Sequence, residues 1–501
     1  MTGAQGGAYA ELERRFARAE AVDGALSVLH WDQSVIMPPA GVAARADQIA
    51  ALTELRHAIL AAPATTDLLD AAEAGSAELD PWQAANLREM RRAVIAAVAV
   101  PDDLVGAHAR ACTASESQWR IARRNADYAM LLPALRTVLD LTREVGAALA
   151  DASGLSVYDA LLDRYEPGGR SAEIDPIFDD YAAALPALLD SVLARQAARP
   201  APRRPQGPFP VAAQEALCHQ LAKAVGLDFD GARLDRSAHP FSTGSGGDIR
   251  ITTRYDEADF SGAVMAVLHE SGHAMYSRGL PAAWSTQPVG QARGMALHES
   301  QSLAVEMQAA RSPAFYAWLA PVLRAAFGGA GAAWEADNLH ALAVRVEPGF
   351  IRVDADEVTY PAHVILRYRL ERQLIGGTLD LADLPQAWNE GMQALLGIVP
   401  PDDACGCLQD IHWPDGAFGY FPTYTLGAMT AAQLFQTASA AEPDILPGLS
   451  RGDFRPLIEW MQANVHAYGS FATTAEILVR ATGRPLDPSA FLGHIQARYL
   501  A

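Results

Sequence analysis

The stretch VMAVLHESGH, from Val264 to His273, is the segment around which we expect the chain to be organised, because it contains the pattern H-E-x-x-H within a helix-forming sequence. The residues of the pattern are His269, Glu270 and His273. Val264, Val267 and Leu268 have the spacing of the apolar stripe of a buried helix. On such a helix the two histidines lie one turn apart on the same face, which allows both imidazoles to hold one Zn²⁺.

A second stretch, GMALHESQS from Gly294 to Ser302, offers the third protein ligand that a catalytic zinc site uses. Glu299 lies in this next helical pattern, after a connection that contains glycine and proline. Glu270 adjoins the first ligand, so it can reach a water on the metal without binding the metal and can act as the general base. We therefore predict one ion per chain at His269, His273 and Glu299; two imidazoles and a carboxylate suit Zn²⁺ and also Co²⁺.

Histidine ligands usually have a further partner that fixes the tautomer of the ring. The position four residues after Glu299 is Leu303, which cannot serve. Glu306, two helical turns after Glu299, and Asp356 are the two candidates, and the sequence leaves both open.

Length and composition indicate one large globular domain. The chain has 501 residues, of which 50% are hydrophobic and 20% charged, and no linker separates two self-sufficient halves. The net charge of −20 argues against nucleic acid or an anionic membrane as a partner. The first residues show no basic segment followed by an apolar run, and no stretch of about 20 apolar residues occurs. We therefore expect neither a signal peptide nor a membrane span, and a cytoplasmic location.

The first 200 residues predict an array of antiparallel helices, because apolar residues recur at spacings of three and four and prolines mark short breaks. The breaks are expected at Pro38-Pro39, Pro63, Pro81 and Pro101. The proline-rich segment 198–210 is expected to be a stiff connector. Within the array, His30-Trp31-Asp32 stands out as an aromatic at the end of a helix, which usually serves packing.

After residue 211 the sequence alternates between helices and short extended segments. Alternation within 233–255 predicts a hairpin or small antiparallel sheet in front of the metal helix, and its exposed edge could pair with an extended peptide. A second alternation over 344–353 predicts another strand. Further helices are expected over 211–225, 355–374 and 383–397, and a loop rich in polar and aromatic residues over 406–424.

The four cysteines are too few and too scattered for a disulfide framework. The C-x-C pair at Cys405 and Cys407 lacks the second close pair of a metal site, so we interpret it as two loop thiols. The remaining cysteines are Cys112 and Cys218.

Six short motifs then occur in a fixed order: H-P-F at His239 to Phe241, D-x-R-x-T at Asp248 to Thr252, H-E-x-x-H at His269 to His273, H-E-S-Q-S at His298 to Ser302, I-R-x-x-A-D at Ile351 to Asp356, and G-x-x-Q-D-x-H-W at Gly406 to Trp413. In this order they resemble the carboxypeptidase Taq family of zinc-type metallocarboxypeptidases. The resemblance covers essentially the whole chain, and no motif-defining position departs from it.

The resemblance implies an all-α, mostly helical fold in one large domain, 1–501, with a deep groove, a small antiparallel β-sheet near the metal and a homodimeric assembly. Residues 1–200 would form the wall or lid of the groove and 211–501 the catalytic part. The implied reaction releases single amino acids from the free C-terminus of peptides, with broad specificity.

The resemblance also implies roles for individual residues. Arg352 would bind the substrate carboxylate by a forked contact, the alternative being a salt bridge that only holds the strand. Arg250 is the second candidate, with a structural ion pair to Asp248 or Asp356 as its alternative, and His239 lies in a substrate-binding motif. The oxyanion would be stabilised from the 406–424 loop, and the choice among His412, Tyr420 and Tyr424 stays open.

Two other functions fit parts of the pattern. Helical oligopeptidases and dipeptidyl carboxypeptidases share H-E-x-x-H and a distal glutamate, but the order of the six motifs disfavours them. A metal-binding helical scaffold without activity is disfavoured by Glu270 beside a site with three ligands, since a structural zinc normally has four.

Overall fold

The chain is helical almost throughout, which confirms the predicted all-α class. The computed structural model describes residues 2–501, and these contain twenty α-helices and three strands. The helices before the strands are α1 (Thr2–Val35), α2 (Val42–Ala61), α3 (Pro63–Ala74), α4 (Pro81–Val98), α5 (Asp102–Asn125), α6 (Tyr128–Ser153), α7 (Val157–Leu162), α8 (Ser171–Ala197) and α9 (Val211–Val225). The helices after them are α10 (Ser261–Gly279), α11 (Met295–Leu303), α12 (Pro313–Phe327), α13 (Ala336–Ala343), α14 (Tyr360–Gly376), α15 (Leu384–Leu396), α16 (Pro422–Ala441), α17 (Ile445–Leu449), α18 (Arg455–Asn464), α19 (Thr474–Thr482) and α20 (Pro488–Tyr499).

The predicted breaks in the N-terminal array are present. Pro63 and Pro81 each occupy the first position of a helix, where a missing N–H costs nothing. Asp80 accepts hydrogen bonds from the backbone N–H groups of Trp82 and Gln83, and the Gln83 side chain bonds back to Asp80, so a capping box begins α4. The connector 198–210 is free of helix and strand, as predicted.

The small sheet lies before the metal helix but is mixed rather than antiparallel. Its strands are β1 (Ala232–Arg236), β2 (Ser242–Ser245) and β3 (Asp248–Thr253), in the order β1-β3-β2. The hairpin β2–β3 is antiparallel as predicted, whereas β1 pairs with β3 in parallel. The reason lies in segment 237–241, which crosses the end of β3: Ser237 N–H donates to the carbonyl of Thr253, and Thr252 N–H donates to that of Phe241. The chain therefore enters β2 on the edge of β3 that lies opposite to β1.

The strand predicted over 344–353 is wrong. Val346 is buried, but its N–H and C=O are both bonded by the side-chain amide of Gln196, so the backbone needs no neighbouring strand. The following helix begins at Tyr360 rather than at 355. Asp356 accepts hydrogen bonds from the N–H groups of Val358 and Thr359, which holds the preceding turn outside the helix.

Buried apolar residues form one large cluster, a separate N-terminal one and a small third one of Val100, Val145, Leu149 and Ala160. The large cluster runs from Cys112 to Tyr499 and surrounds α10, α11 and α16. The N-terminal cluster belongs to α1–α4 and contains Tyr9, Leu12, Phe16, Leu60, Leu69, Leu87 and Met90. Among the described residues, no helix combines the length and the apolar character that crossing a bilayer requires.

Candidate metal centre and active site

Helices α10 and α11 approach so closely that one position must be glycine. A Cβ on Gly272 would lie 2.6 Å from the carbonyl oxygen of Gln301 and 2.6 Å from the Cα of Ser302. Gly272 is the residue before His273, so the absence of a side chain lets the face carrying the histidines meet α11 directly. The sequence alone did not reveal this role, because the contact joins two helices.

The structure brings together the three predicted metal ligands. Glu299 Oε2 lies 3.8 Å from His269 Nε2 and 3.5 Å from His273 Nε2. One ligand atom from each residue falls within 4.8 Å of the others. Two imidazole nitrogens and one carboxylate oxygen in such a space are the donor set of a catalytic zinc site, so the residues fit a divalent ion.

Glu306, and not Asp356, contacts the metal histidines. The chain after α11 continues as a π-helical segment, Ala304–Ala309, a local widening that is frequent at functional sites. From it, Glu306 Oε2 lies 3.3 Å from His269 Nδ1, and Glu306 Oε1 accepts a hydrogen bond from Arg311. The carboxylate of Asp356 bonds instead to backbone N–H groups of its own loop.

Charges around the three ligands shift their proton affinities. Burial opposes ionisation of Glu299, yet the adjacent His269 and His273 lower its pKa to about 2. Burial also opposes protonation of His269, but Glu299 and Glu306 raise its pKa to about 10. Burial raises the pKa of Glu270, whose Oε2 has no hydrogen-bond partner among the described residues. Glu270 is thus a carboxylate of increased basicity with a free oxygen.

His298, in the H-E-S-Q-S motif, supports a metal ligand without joining the cluster. Its ring stacks on that of His273 with centroids 4.3 Å apart and planes at 26°. Burial lowers the pKa of His298 to about 3, so the ring is neutral and adds no charge beside the ligand. In the sequence, only its position in the H-E-S-Q-S motif pointed to His298.

Arg352 lines the same cavity of about 270 Å³ as His269 and Glu299. Its guanidinium donates to Asp410, with Nη2 2.8 Å from Oδ1, and to the Tyr360 hydroxyl at 3.0 Å. Arg367, fully buried, donates to the other oxygen of Asp410 at 2.6 Å. Burial would raise the pKa of Asp410, but the two arginines hold it well below its usual range. Two guanidiniums therefore share one carboxylate and leave a net positive charge.

The three candidates for the oxyanion donor, His412, Tyr420 and Tyr424, lie close together, although Tyr424 is in the first turn of α16 rather than in the loop. His412 Nε2 is 3.3 Å from the Tyr424 hydroxyl, and the two tyrosine rings meet edge to face at 5.1 Å. Burial lowers the pKa of His412 to about 4 and raises that of Tyr424. All three groups are neutral hydrogen-bonding groups.

Two buried glutamates that the sequence did not single out hold the backbone of this region. Glu371 accepts a hydrogen bond from Gly419 N–H at 3.1 Å and one from the Tyr158 hydroxyl. Glu166 accepts one from Ala296 N–H at 2.8 Å and so caps α11. Both contacts join segments far apart in sequence, and no local pattern could reveal them.

Two of the predicted substrate-binding residues lie elsewhere. Arg250 donates to Asp248 and stacks on the indole of Trp31, with 4.3 Å between its Cζ and the ring centroid. His239 is exposed in the loop between β1 and β2. Neither lines the cavity that contains the metal ligands.

Comparison with known proteins gives matches along nearly the whole chain. The model of the carboxypeptidase Taq (M32) metallopeptidase family matches residues 11–499. The chain is 40% identical to thermostable carboxypeptidase 1 of Thermus thermophilus over 489 residues, 95% of each chain. Metallocarboxypeptidase 1 of Trypanosoma cruzi superposes with a TM-score of 0.96 at 41% identity, covering 99% of both chains. The M32 carboxypeptidase of Deinococcus radiodurans superposes with a TM-score of 0.93 at 33% identity, covering 98% of both chains.

Proposed function

The chain belongs to the carboxypeptidase Taq (M32) family of metallopeptidases, and we propose that its catalytic ion binds to His269, His273 and Glu299. It is a metallocarboxypeptidase, a hydrolase of peptide bonds. The observation that carries the residue assignment is the approach of two imidazole Nε2 atoms to one oxygen of Glu299, beside the free oxygen of Glu270.

The donor set fits a divalent ion because it is partly buried, carries one negative charge and offers nitrogen and oxygen atoms from two neighbouring helices. A bound ion would polarise the scissile carbonyl and lower the pKa of the attacking water. Glu306 would keep the proton of the His269 ring on Nδ1, which leaves Nε2 free to bind the ion.

Glu270 would be the general base and then the general acid. Its raised pKa makes the carboxylate basic enough to take the proton of the attacking water and acidic enough afterwards to release it to the departing amine. Its free Oε2 is available for this transfer.

The cluster of Arg352, Arg367 and Asp410 would bind the C-terminal carboxylate of the peptide. Because two guanidiniums share one carboxylate, the cluster attracts a second anion into the cavity. We expect Arg352→Lys to raise KM about 10- to 100-fold for peptides with a free C-terminus and to leave KM unchanged for C-terminally amidated ones. An equal rise for both substrates would exclude this role.

The oxyanion would be stabilised by a neutral hydrogen-bond donor from the group of His412, Tyr420 and Tyr424. Each variant His412→Gln, Tyr420→Phe and Tyr424→Phe removes one donor. The responsible residue is the one whose change lowers kcat by about 10²- to 10³-fold with little change in KM.

The decisive experiment replaces Glu270 by Gln. The variant should bind zinc as the unchanged protein does and release amino acids from a blocked dipeptide about 10²- to 10⁴-fold more slowly. Glu459→Gln, at an exposed position of α18, is the matched control and should be fully active. A Glu270→Gln protein with full activity would disprove the mechanism. Release of dipeptides from a longer blocked peptide by the unchanged protein would point to a dipeptidyl carboxypeptidase.

Four finer properties belong to the same proposal: zinc rather than cobalt as the ion, broad specificity for the C-terminal residue, a homodimer and a cytoplasmic location. The zinc assignment is supported by the imidazole and carboxylate donors. Four unpaired cysteines suit a reducing compartment. Metal analysis, a panel of blocked dipeptides, light scattering and cell fractionation test the four properties in turn.

A further inference from the structure

A second cavity, of about 410 Å³, lies next to the metal cleft and has no part in the chemistry proposed above. Its volume is within the range of roughly 300–1,000 Å³ that is typical of small-molecule sites. The wall contains apolar and polar surface in similar amounts and is formed by the start of α10, the facing sides of α12 and α13, and the connector before α9. Its main apolar residues are Phe209, Phe260, Leu319, Leu323, Leu339 and Leu342.

Arg311 provides a positive charge in this wall. Its Nε is buried and has no hydrogen-bond partner among residues 2–501. Tyr316 lines the same cavity and brings a phenol to its wall. A guanidinium and a hydroxyl beside apolar side chains suit a carboxylate with an apolar substituent.

The same cavity also contains negative charge. Asp354 lies in its wall and is exposed, and it forms no ion pair with any residue that the structure describes. Glu347 is paired with Arg345, and the carboxylate of Asp356 is taken by backbone N–H groups. Asp259, also in the wall, accepts hydrogen bonds from the N–H and the hydroxyl of Ser261. Asp354 is therefore the acid of the wall whose carboxylate has no partner among the described residues, and the cavity offers partners to both ends of a zwitterion.

Arg311 also links this cavity to the metal ligands. It lines the metal cleft as well, and it donates to Glu306, which in turn contacts Nδ1 of His269. A molecule that bonds to Arg311 competes with Glu306 for the guanidinium. Binding in the second cavity would thus change the support of a proposed metal ligand through two hydrogen bonds.

We propose that the second cavity binds a free amino acid with an apolar side chain, the product class of the carboxypeptidase reaction, and that its binding slows turnover. The apolar residues of the wall take the side chain, Arg311 and Tyr316 take the carboxylate, and Asp354 takes the ammonium group. The effect on turnover rests on the proposed function, because it acts through His269. Coupling between two sites is reciprocal, so the amino acid and the metal weaken each other's binding by the same factor.

The test uses the zinc-loaded, full-length protein and L-leucine as the probe. Calorimetry should detect two binding events for leucine. A substrate analogue should displace leucine from the active site and leave the binding in the second cavity unchanged. Ala343→Phe fills the second cavity from α13, whereas Ala341→Phe, exposed on the same helix, is the matched control. Ala343→Phe should abolish the second event and the effect of leucine on kcat, and keep competitive inhibition. Ala341→Phe should keep both events.

The unchanged protein provides a test that does not depend on a variant folding. Leucinamide lacks the carboxylate and 4-methylpentanoate lacks the ammonium group, so each should bind the second cavity at least tenfold more weakly than leucine. Equal binding of 4-methylpentanoate would overturn the assignment to an amino acid, and two events in Ala343→Phe would overturn the site itself. A protein that binds leucine in this cavity but releases no amino acids would refute only the proposed function.

Discussion

At the scale of single residues, the three proposed metal ligands follow from local patterns in the sequence, whereas the residues that position them do not. H-E-x-x-H is a local pattern, and its geometry follows from the helical repeat alone. Gly427 acts differently: it lies on α16, and a Cβ there would come within 2.8 Å of the Cβ of Glu299. That requirement arises only when α16 packs on α11, and no spacing within the sequence encodes it.

We expect Gly427→Ala to displace Glu299 and to weaken zinc binding about 10- to 100-fold, comparable with the loss of a supporting contact at a metal site. Competition with a chromophoric chelator measures the affinity. Gly262→Ala, at a position of α10 where a Cβ meets open space, is the control and should bind zinc normally. Unchanged affinity in Gly427→Ala would show that Glu299 is not held by this contact.

The buried carboxyl of Glu371 predicts a pH dependence of stability. Burial raises its pKa from 4.5 to about 8, so the folded protein holds this proton more tightly than the unfolded chain. The stabilising contribution is complete below pH 4.5 and is lost as the pH rises to about 8. Glu371→Gln cannot lose a proton, so its free energy of unfolding relative to the unchanged protein should increase by roughly 2–4 kcal/mol between pH 5 and pH 9. Urea unfolding at both pH values checks this, and a constant difference would refute it.

At the scale of elements, regular helices were predicted well and irregular segments were not. The amphipathic pattern placed α9 and α15 within a residue of their observed bounds. The segment 344–353 alternates like a strand, yet a distant glutamine satisfies its backbone, and alternation cannot reveal such a partner. Glu306 was predicted on the face of Glu299 by assuming a regular helix; the chain instead reaches His269 through a π-helical segment.

Helix α1 is attached to the sheet by an aromatic ring between two arginines. The indole of Trp31 is buried, and the guanidiniums of Arg233 and Arg250 lie 4.4 and 4.3 Å from its centroid. We expect Trp31→Ala to cost about 3–5 kcal/mol of unfolding free energy and to increase hydrogen exchange at the end of α1. Trp31→Phe keeps an aromatic face and should lose less than half of that. Unchanged exchange in Trp31→Ala would show that other contacts hold α1.

At the scale of the whole molecule, the resemblance predicted one domain with residues 1–200 as a wall or lid, whereas the apolar cluster that is separate from the main core covers only α1–α4, and α5, α6 and α8 pack in the main core. The cluster of α1–α4 is separate from the main core, and the contacts between them are aromatic as well as polar. Trp82 of α4 stacks on Trp284 and packs against Phe471. The buried pair of Arg293 and Glu89 joins the two clusters at 2.9 Å, and Asn86 donates to Gln287 and to Tyr9. Polar contacts of this kind open at less cost than a shared apolar core.

This division predicts two different responses to removal of the metal. Because the proposed ligands lie on α10 and α11, within the main core, a bound ion would stabilise that core by mass action and stabilise α1–α4 only through the contacts between the two clusters. Hydrogen exchange with and without a chelator should therefore show a loss of protection in α10, α11 and α16 and little change in α2 and α3. Glu299→Gln, which lacks a ligand charge, should give the same exchange map without any chelator. If α2 and α3 lose protection as strongly as α10 does, the two clusters open as one cooperative unit, and the N-terminal helices cannot move as a lid independently of the catalytic part.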